Sequence, residues 1–245
     1  MPEQLLFTEI LNKHFAGPVD SLLAAVHVTP AFANAPITNA FAMELLVFVT
    51  LLVFFAAVRM SLNVETPGSV QHIAEMTDEF VSTQAEAIMG HGYERFIPYL
   101  TVLFVFILLC NLLGLIPGLE SPTGLEKGVV PLGLALVTFA YYHYHGIREH
   151  KAAYIKQFLG PVWWMAWLLL PVEIISHVAR ILSLTVRLYA NMYAGDLLTL
   201  VFFSLVPIGL PLIFLGLHLG VACIQAYVFM LLATIYLSLA VAHDH

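Results

Sequence analysis

Two long apolar stretches near the end of the chain contain side chains that can bind or release protons, together with permanent cations. On residues 165–205 these polar residues are Glu173, His177, Arg180, Arg187, Asn191 and Asp196, and on residues 211–242 they are His218 and Gln225. An arginine at the centre of a membrane helix costs about 2.5–3.5 kcal/mol on insertion scales, so such residues need partners or water. Carboxylates and histidines exchange protons, whereas arginine stays charged. The set predicts proton movement past a fixed cation.

Helical spacing assigns these residues to faces. Glu173, Arg180 and Arg187 are seven residues apart. At 100° per residue each lies about 20° from the previous one, so the three form a stripe. Asn191 falls about 40° to the side of Arg187, and Asp196 is rotated from it by about 180°. The helix therefore presents the Arg187 cation to one neighbour and a titratable carboxylate to another.

A tight turn at VPIGLP predicts that the two stretches form an antiparallel hairpin. That register brings Asp196 and His218 to one depth towards the outer side, and Asn191, Arg187 and Gln225 to a depth nearer the middle. His218 and Gln225, again seven apart, share one face of their helix.

Glu173 and His177 form an i,i+4 pair on the cytoplasmic half, and Glu173 lies about 21 Å of helix rise from Arg187. Titratable groups thus approach Arg187 from both sides but are displaced laterally. This arrangement predicts two aqueous half-paths that never join, with a fixed cation between them.

Several of these residues also have structural interpretations. Glu173 and Arg180 could form an ion pair. Asn191 and Gln225 could join two helices, at under about 1 kcal/mol each. His218 taken alone could be a hydrogen-bonded interior histidine.

Arg187 is harder to explain structurally. As a counter-ion it would need Glu173 or Asp196, but the first lies far along the helix axis and the second faces away. The spacing therefore favours a functional role for Arg187.

Composition defines the class of protein. Of the 245 residues 60% are hydrophobic and 10% charged, and the mean hydropathy is +0.90, which is typical of an integral membrane protein. Nine Lys and Arg stand against sixteen Asp and Glu, so no basic patch predicts nucleic-acid binding. Metalloprotease, nucleophile-elbow and phosphate-loop motifs are missing, so we expect neither an enzyme active site nor a bound cofactor or metal.

The hydrophobic segments predict an all-α integral membrane protein with one polytopic domain. We expect about five membrane helices plus an amphipathic surface helix, the last two spans forming a long, steeply slanted hairpin. The predicted parts are an external N-terminal arm at 1–39, spans at 40–58, 97–116 and 129–145, cytoplasmic connectors at 60–96 and 146–160, and the slanted hairpin at 165–205 and 211–242.

The slant follows from length. A single helix over residues 171–204 measures about 50 Å against a hydrocarbon layer of about 30 Å. It must either break or tilt far beyond the usual value of about 20°. Neither glycine nor proline occurs between Val172 and Ala194, which favours the slant.

Two segments outside the spans carry partial amphipathic patterns. In the arm, the apolar residues that could form one short face are Leu5, Leu6, Ile10 and Phe15. In the first connector, those at roughly helical spacing are Val70, Ile73, Met76, Phe80 and Val81. An ordinary solvated connector is the alternative for the second segment.

Basic residues predict the orientation. The 59–96 and 146–157 connectors contain Arg59, Arg95, Arg148, Lys151 and Lys156, whereas the opposite side holds only Lys13 and Lys127. By the positive-inside rule the N-terminus lies outside and the C-terminus in the cytoplasm.

The remaining polar sites are weaker. Glu44 and Asn111 could face other helices. The HYH sequence at 143–145 resembles a ligand pair, but it lies at the edge of a span without a third partner, which favours an interfacial position. Cys110 and Cys223, in apolar stretches, fit small buried hydrophobic residues better than a disulfide.

The segments PVEIISHVARILSLTVRLYANMYAGD and HLGVACIQAYVFMLLATIYLSLA, and more weakly NLLGLIPG at 111–118, resemble subunit a of the F-type (rotary) ATP synthase membrane sector. The resemblance extends from about the second span to the C-terminus. It implies a stator protein of the bacterial plasma (inner) membrane that is not catalytic by itself. The implied partners are the c-subunit ring, the b subunits of the peripheral stalk, the lipid bilayer and protons.

The resemblance also implies roles for the polar residues. Arg187 becomes the stator arginine that faces the ring carboxylate, with Asn191 and Gln225 as its polar neighbours. Asp196 and His218 become the outer half-channel pair, and Glu173 contributes to the inner half-channel. Similar proteins usually carry Glu or His at position 196, so the shorter Asp196 suggests an extra water beside His218.

Two other functions are alternatives to the stator function. An independent proton-coupled transporter could use the same residues, but it needs broken helices or inverted repeats, and neither is visible. A purely structural scaffold leaves the intramembrane ionisable groups unexplained. Copurification with a rotor subunit separates these functions from the stator.

Overall fold

The structure is a computed structural model that describes residues 5–25, 36–63, 68–116, 119–124, 128–151, 166–205 and 209–242. Over these residues the chain is all-α and contains no strand. The α-helices are α1 (Leu6–Ala25), α2 (Asn39–Ser61), α3 (Ser69–Met89), α4 (Ile97–Leu113), α5 (Val129–His150), α6 (Ala166–Leu205) and α7 (Leu210–Val241), with a 3₁₀ turn at Tyr93–Arg95.

Three helices are long and apolar enough to cross a bilayer, namely Asn39–Ser61, Trp167–Leu205 and Leu212–Val241, and the shorter Ile97–Leu113 is also apolar. The predicted span at 129–145 corresponds to α5, whose second half is more polar because it contains YYHYHGIREH. The chain is therefore an all-α integral membrane protein.

Helix α7 is central, because it packs against α3, α4, α5 and α6. Its inner face carries the small residues Ala222, Ala226 and Ala233, all fully buried. Small side chains let neighbouring backbones approach closely, which is how helices associate where lipid removes the hydrophobic driving force. Larger buried residues such as Phe229 and Met230 complete this core.

Helix α6 is continuous over 40 residues even though it contains Pro171. At 1.5 Å per residue it is about 60 Å long, twice the thickness of the hydrocarbon layer. The sequence leaves two alternatives, a broken helix and a continuous tilted one, and the structure contains a continuous helix.

Helix α5 extends further than the predicted span. It ends at His150, so the first residues of the connector predicted at 146–160 continue the helix. The remainder of that connector, residues 152–160, lies outside the described residues.

The N-terminal arm contains a 20-residue helix that packs against α2. Of the four residues predicted to form one apolar face, Leu5 packs against the start of α2, whereas Leu6, Ile10 and Phe15 are exposed. The buried face also contains Asn12, whose amide nitrogen donates to the Ile37 carbonyl at 3.0 Å and whose oxygen accepts from the Ile37 amide at 3.0 Å. Two specific hydrogen bonds therefore fix α1 to the start of α2.

The amphipathic helix expected in the first connector is present as α3, but most of its apolar residues are not buried. Val81 is fully buried against α4 and α7, whereas Val70, Ile73, Met76 and Phe80 remain exposed. The protein interior covers only one edge of the apolar face.

Candidate functional site

Arg187 lies on an open face of α6. Its side chain is exposed, and Nη2 makes one long hydrogen bond of 3.5 Å, to Ser183 Oγ one turn earlier. Among the described residues no carboxylate forms an ion pair with Arg187. Neither Glu173 nor Asp196 is its counter-ion.

Arg187 lies within a helix that is long and apolar enough to cross a bilayer. By helical rotation its nearest neighbours on α6 are Arg180, Ser183, Asn191 and Ala194. An exposed cation without a carboxylate partner in such a helix needs water or a carboxylate from another molecule.

The hairpin register joins Asn191 to Gln225. The Asn191 amide nitrogen donates to Gln225 Oε1 at 2.8 Å, across α6 and α7. Gln225 is 4% exposed, so a buried polar group is satisfied by a partner one turn from Arg187. The predicted shared depth of Asn191 and Gln225 is found.

The same register brings Asp196 opposite His218, but more loosely. His218 Nδ1 lies 3.8 Å from Asp196 Oδ1, which is longer than a hydrogen bond of 2.7–3.2 Å. The two groups are adjacent, yet a proton cannot pass directly between them in this geometry.

His218 borders a cavity of about 190 Å³, which is also lined by Asn191, Gly195, Phe214 and Leu217. The ring is 4% exposed, and its Nε2 has no hydrogen-bond partner among the described residues. Buried polar groups are normally satisfied by protein or by water, and a cavity of this size accommodates several waters at about 30 Å³ each.

Gly195 lets the His218 ring approach α6. A Cβ placed on Gly195 would lie 2.7 Å from the His218 Nε2 and Cδ2 atoms, closer than real carbon contacts. A side chain at position 195 therefore requires the ring to move.

The loop at residues 119–124 is held beside this region by a buried polar network. Asn111 on α4 donates to the Ala222 carbonyl at 3.3 Å and accepts from the Thr123 hydroxyl at 2.8 Å. Ser121 Oγ donates to the Cys110 carbonyl at 3.0 Å. All three polar side chains are fully buried, so the loop is fixed to α4, which Asn111 in turn joins to α7.

That loop also lies close to Asp196. A Cβ on Gly124 would be 3.1 Å from Asp196 Oδ2, and the exposed Glu120 is near enough to Asp196 for their charges to interact. Partial burial raises the pKa of the Glu120 carboxyl above its ordinary value. Two carboxylates are therefore present on this side of the protein.

On the other half of α6 the titratable groups are in direct contact. His177 Nε2 lies 3.3 Å from Glu173 Oε1, and His177 Nδ1 lies 3.0 Å from the Tyr142 hydroxyl on α5. Glu173 is partly exposed, whereas His177 and Tyr142 are buried. A chain of close polar contacts leads from the surface into the protein.

The alternative ion pair between Glu173 and Arg180 is not found among the described side chains. Arg180 instead places its guanidinium carbon 5.0 Å from the centre of the Tyr236 ring. Residues seven apart are separated by about 10 Å along the helix axis, whereas the i+4 residue His177 is one turn away.

The remaining residues named in the sequence analysis are the HYH histidines and the two cysteines. His145 packs against the Phe96 ring at 5.0 Å, and His143 lies 4.8 Å from the His177 ring. Within the part of the chain that is described, no group of three or more His, Cys, Asp or Glu could hold a metal ion. Cys110 is buried as expected, whereas Cys223 is exposed on α7, which corrects its prediction.

The residues that sequence reasoning missed come from outside the hairpin. They are Tyr142 on α5, Tyr236 on α7, and Glu120, Ser121, Thr123 and Gly124 in the loop. The sequence points to Asn111 and HYH but not to the residues that they contact. Nothing in the loop sequence indicates what the loop contacts.

Together the fold and the site define an all-α, multi-pass membrane protein that carries proton-exchanging groups inside its longest helices. The sequence matches the family model of the ATP synthase A chain over residues 40–238. ATP synthase subunit a of Koribacter versatilis (strain Ellin345) is 55% identical over 246 residues and 100% of both chains.

Two further relatives bearing the same name also match over nearly the full length. The one from Solibacter usitatus (strain Ellin6076) is 40% identical over 96% of this chain and 100% of its own. The one from Trichlorobacter lovleyi (strain ATCC BAA-1151 / DSM 17278 / SZ) is 36% identical over 100% of both. The chain therefore belongs to the ATP synthase A chain family, which assigns it to proton transport in ATP synthesis.

Proposed function

We propose that this chain is the stator proton channel of an F-type ATP synthase. Two offset half-channels and an essential arginine, Arg187, couple proton translocation to rotation of the c ring. The observation that carries the proposal is an exposed Arg187 that forms no ion pair among the described residues, within a helix long and apolar enough to cross a membrane. Its missing counter-charge is the carboxylate of a passing c subunit.

The electrostatics of that encounter follow from the position of Arg187. A ring carboxylate must be neutral while it faces lipid, because an isolated charge in hydrocarbon is expensive. Close to Arg187 the ionised form is favoured, so the ring site releases its proton there. The same cation repels hydronium and so prevents a direct leak between the two paths.

The outer half-channel is proposed to run past Asp196 and His218 towards Asn191 and Gln225. The 3.8 Å separation of Asp196 from His218 and the 190 Å³ cavity beside His218 support a water-mediated transfer. Asn191 and Gln225, hydrogen-bonded to each other, provide polar groups between this cavity and Arg187.

The inner half-channel is proposed to use Glu173 and His177. Their contact at 3.3 Å and the partial exposure of Glu173 support release of protons on that side. Because the two paths meet α6 at opposite ends, a proton can pass from one to the other only on the rotating ring. A membrane potential contributes about 2.3 kcal/mol per charge per 100 mV, which biases the direction of rotation.

The proposal also covers location and partners. The chain lies in a bacterial inner membrane with its N-terminus outside and its C-terminus in the cytoplasm, and it is not catalytic by itself. The b subunits of the peripheral stalk contact its N-terminal span and cytoplasmic connectors. The exposed apolar residues of α3 are consistent with a helix that lies at the cytoplasmic membrane surface.

The test is Arg187→Ala in the complete ATP synthase, in inverted membrane vesicles. We expect ATP-driven acidification to be lost while the complex still assembles with its c ring, and passive proton leak without ATP to stay equal or rise. Arg59→Ala is the matched control, because Arg59 is an exposed arginine at the end of α2, outside both paths. Pumping by Arg187→Ala at near wild-type rates refutes the stator mechanism.

A further inference from the structure

Tyr142 is the inner terminus of the contact chain on the Glu173 side of α6. Its hydroxyl lies 3.0 Å from His177 Nδ1, while His177 Nε2 lies 3.3 Å from Glu173 Oε1. Tyr142 is 2% exposed. A buried hydroxyl therefore contacts one ring nitrogen while a partly exposed carboxylate contacts the other.

The chemistry of imidazole gives this arrangement a consequence. A neutral histidine has one donor nitrogen and one acceptor nitrogen. If Nε2 donates to the Glu173 carboxylate, Nδ1 must accept from the Tyr142 hydroxyl. When His177 takes up a second proton, Nδ1 becomes a donor and the hydroxyl can rotate to accept. Tyr142 can thus hold the ring in one orientation in both charge states.

The surroundings of His177 fix the ring further. From α5, the Phe139 and His143 rings lie 6.0 Å and 4.8 Å away, and the Tyr142 ring stacks at 6.1 Å. The charged and titratable groups near His177 are Glu173 and Arg180 on α6, Tyr142 and His143 on α5, and Tyr236 on α7, which lies beside both Tyr142 and Arg180.

We propose that Tyr142 is a positioning residue of the inner half-channel, which holds His177 so that Nε2 faces Glu173 whichever charge state the ring adopts. Tyr142 acts through His177 and does not itself carry the proton to the ring. This inference rests on the proposed stator function, and it adds to it a residue from a helix outside the hairpin.

The experiment uses Tyr142→Phe in the complete ATP synthase, in inverted vesicles whose cytoplasmic face is exposed to the medium. ATP-driven proton pumping is measured as a function of external pH and divided by the uncoupled ATP hydrolysis rate at each pH. Phenylalanine keeps the ring but removes the hydroxyl that contacts Nδ1. A hydrogen bond to the charged imidazolium is stronger than one to the neutral ring, so its loss favours the neutral ring, and we expect the midpoint of the profile to move to lower pH by about 0.5–1 pH unit.

The matched control is Tyr144→Phe, because Tyr144 is on the same helix and is 60% exposed. Its profile should superimpose on that of the wild type. A Tyr142→Phe profile that also superimposes on the wild type overturns the inference.

A second variant tests whether Tyr142 acts through His177. His177→Gln removes the titrating ring, so we expect it to flatten the same limb of the profile and to abolish any further shift by Tyr142→Phe. An unchanged His177→Gln profile overturns the inference, even if Tyr142→Phe does not assemble. An undiminished Tyr142→Phe shift in the His177→Gln background overturns it as well.

Arg187→Ala distinguishes a failure of the Tyr142 inference from a failure of the proposed stator function. If Arg187→Ala abolishes pumping while Tyr142→Phe matches Tyr144→Phe, only the role of Tyr142 is wrong. If Arg187→Ala pumps normally, the stator function itself is wrong.

Discussion

The two halves of α6 carry similar residues in different arrangements. Towards the loop, Asp196 and His218 are separated by 3.8 Å beside a cavity of 190 Å³. Towards the start of the helix, His177 contacts Glu173 at 3.3 Å and Tyr142 at 3.0 Å. The first pair is separated and borders a cavity, whereas the second is close-packed and in direct contact.

The difference has a physical cause. His218 lies on α7 and reaches α6 only where Gly195 leaves room for its ring, so the aspartate one residue further on is too short to meet it. His177 and Glu173 are one helical turn apart on the same helix, which brings their side chains together without help from tertiary structure. A transfer across the first pair therefore depends on water, and a transfer across the second does not.

The largest expected effect comes from removing the Asp196 carboxylate, and removal of the Glu173 carboxylate from the other half provides the comparison. Asp196→Asn should lower ATP-driven pumping about 10-fold or more, the scale of a positioned proton-transfer group. Glu173→Gln should lower it less than about 3-fold, because His177 and its neighbours remain as proton-exchanging groups. Pumping per assembled complex in inverted vesicles is the measurement. Equal losses would remove the distinction between the two halves.

A smaller effect is expected from adding a methyl group beside the His218 ring. Gly195→Ala adds a Cβ that would lie 2.7 Å from the His218 ring, so the ring must shift away from its place beside Asp196. We expect pumping to fall about 3-fold to 10-fold, with assembly retained. Gly220→Ala on α7, where a Cβ meets nothing within 4 Å, is the control. Unchanged pumping in Gly195→Ala would show that the ring position is unimportant.

The smallest effect should come from lengthening the carboxylate. Asp196→Glu adds one methylene, which is enough to close the 3.8 Å separation from His218 Nδ1. We expect pumping to stay within about 2-fold of wild type, because a direct hydrogen bond and a bridging water transfer protons comparably. Pumping rates in the same vesicles measure this. A loss as large as that of Asp196→Asn would contradict a simple water-bridged pair.

Much of the hairpin could be predicted because two rules set its geometry, namely the helical period and the antiparallel register. The helical period places Glu173 beside His177, and the antiparallel register brings Asn191 to Gln225. Both rules need only the number of residues between two positions. The Asn191–Gln225 contact was predicted from the position of the turn.

The buried face of α1 was predicted only in part. Leu5 packs against the start of α2 as part of that face, whereas Leu6 and Ile10 are exposed. A hydrophobic pattern identifies the buried face only where the alternative is water, and around a membrane protein apolar side chains can equally remain outside.

The sequence by itself determined that the chain is an all-α membrane protein, which residues are unusual in its apolar helices, and how the hairpin pairs. Only the tertiary structure decided that Tyr142 meets His177 and that Asn111 meets the Ala222 carbonyl. These contacts join helices that are far apart in the sequence, so counting the residues between them does not fix their register. Whether a polar side chain in such a helix finds a partner depends on the rotation and depth at which its helices pack, and those are set by the whole bundle.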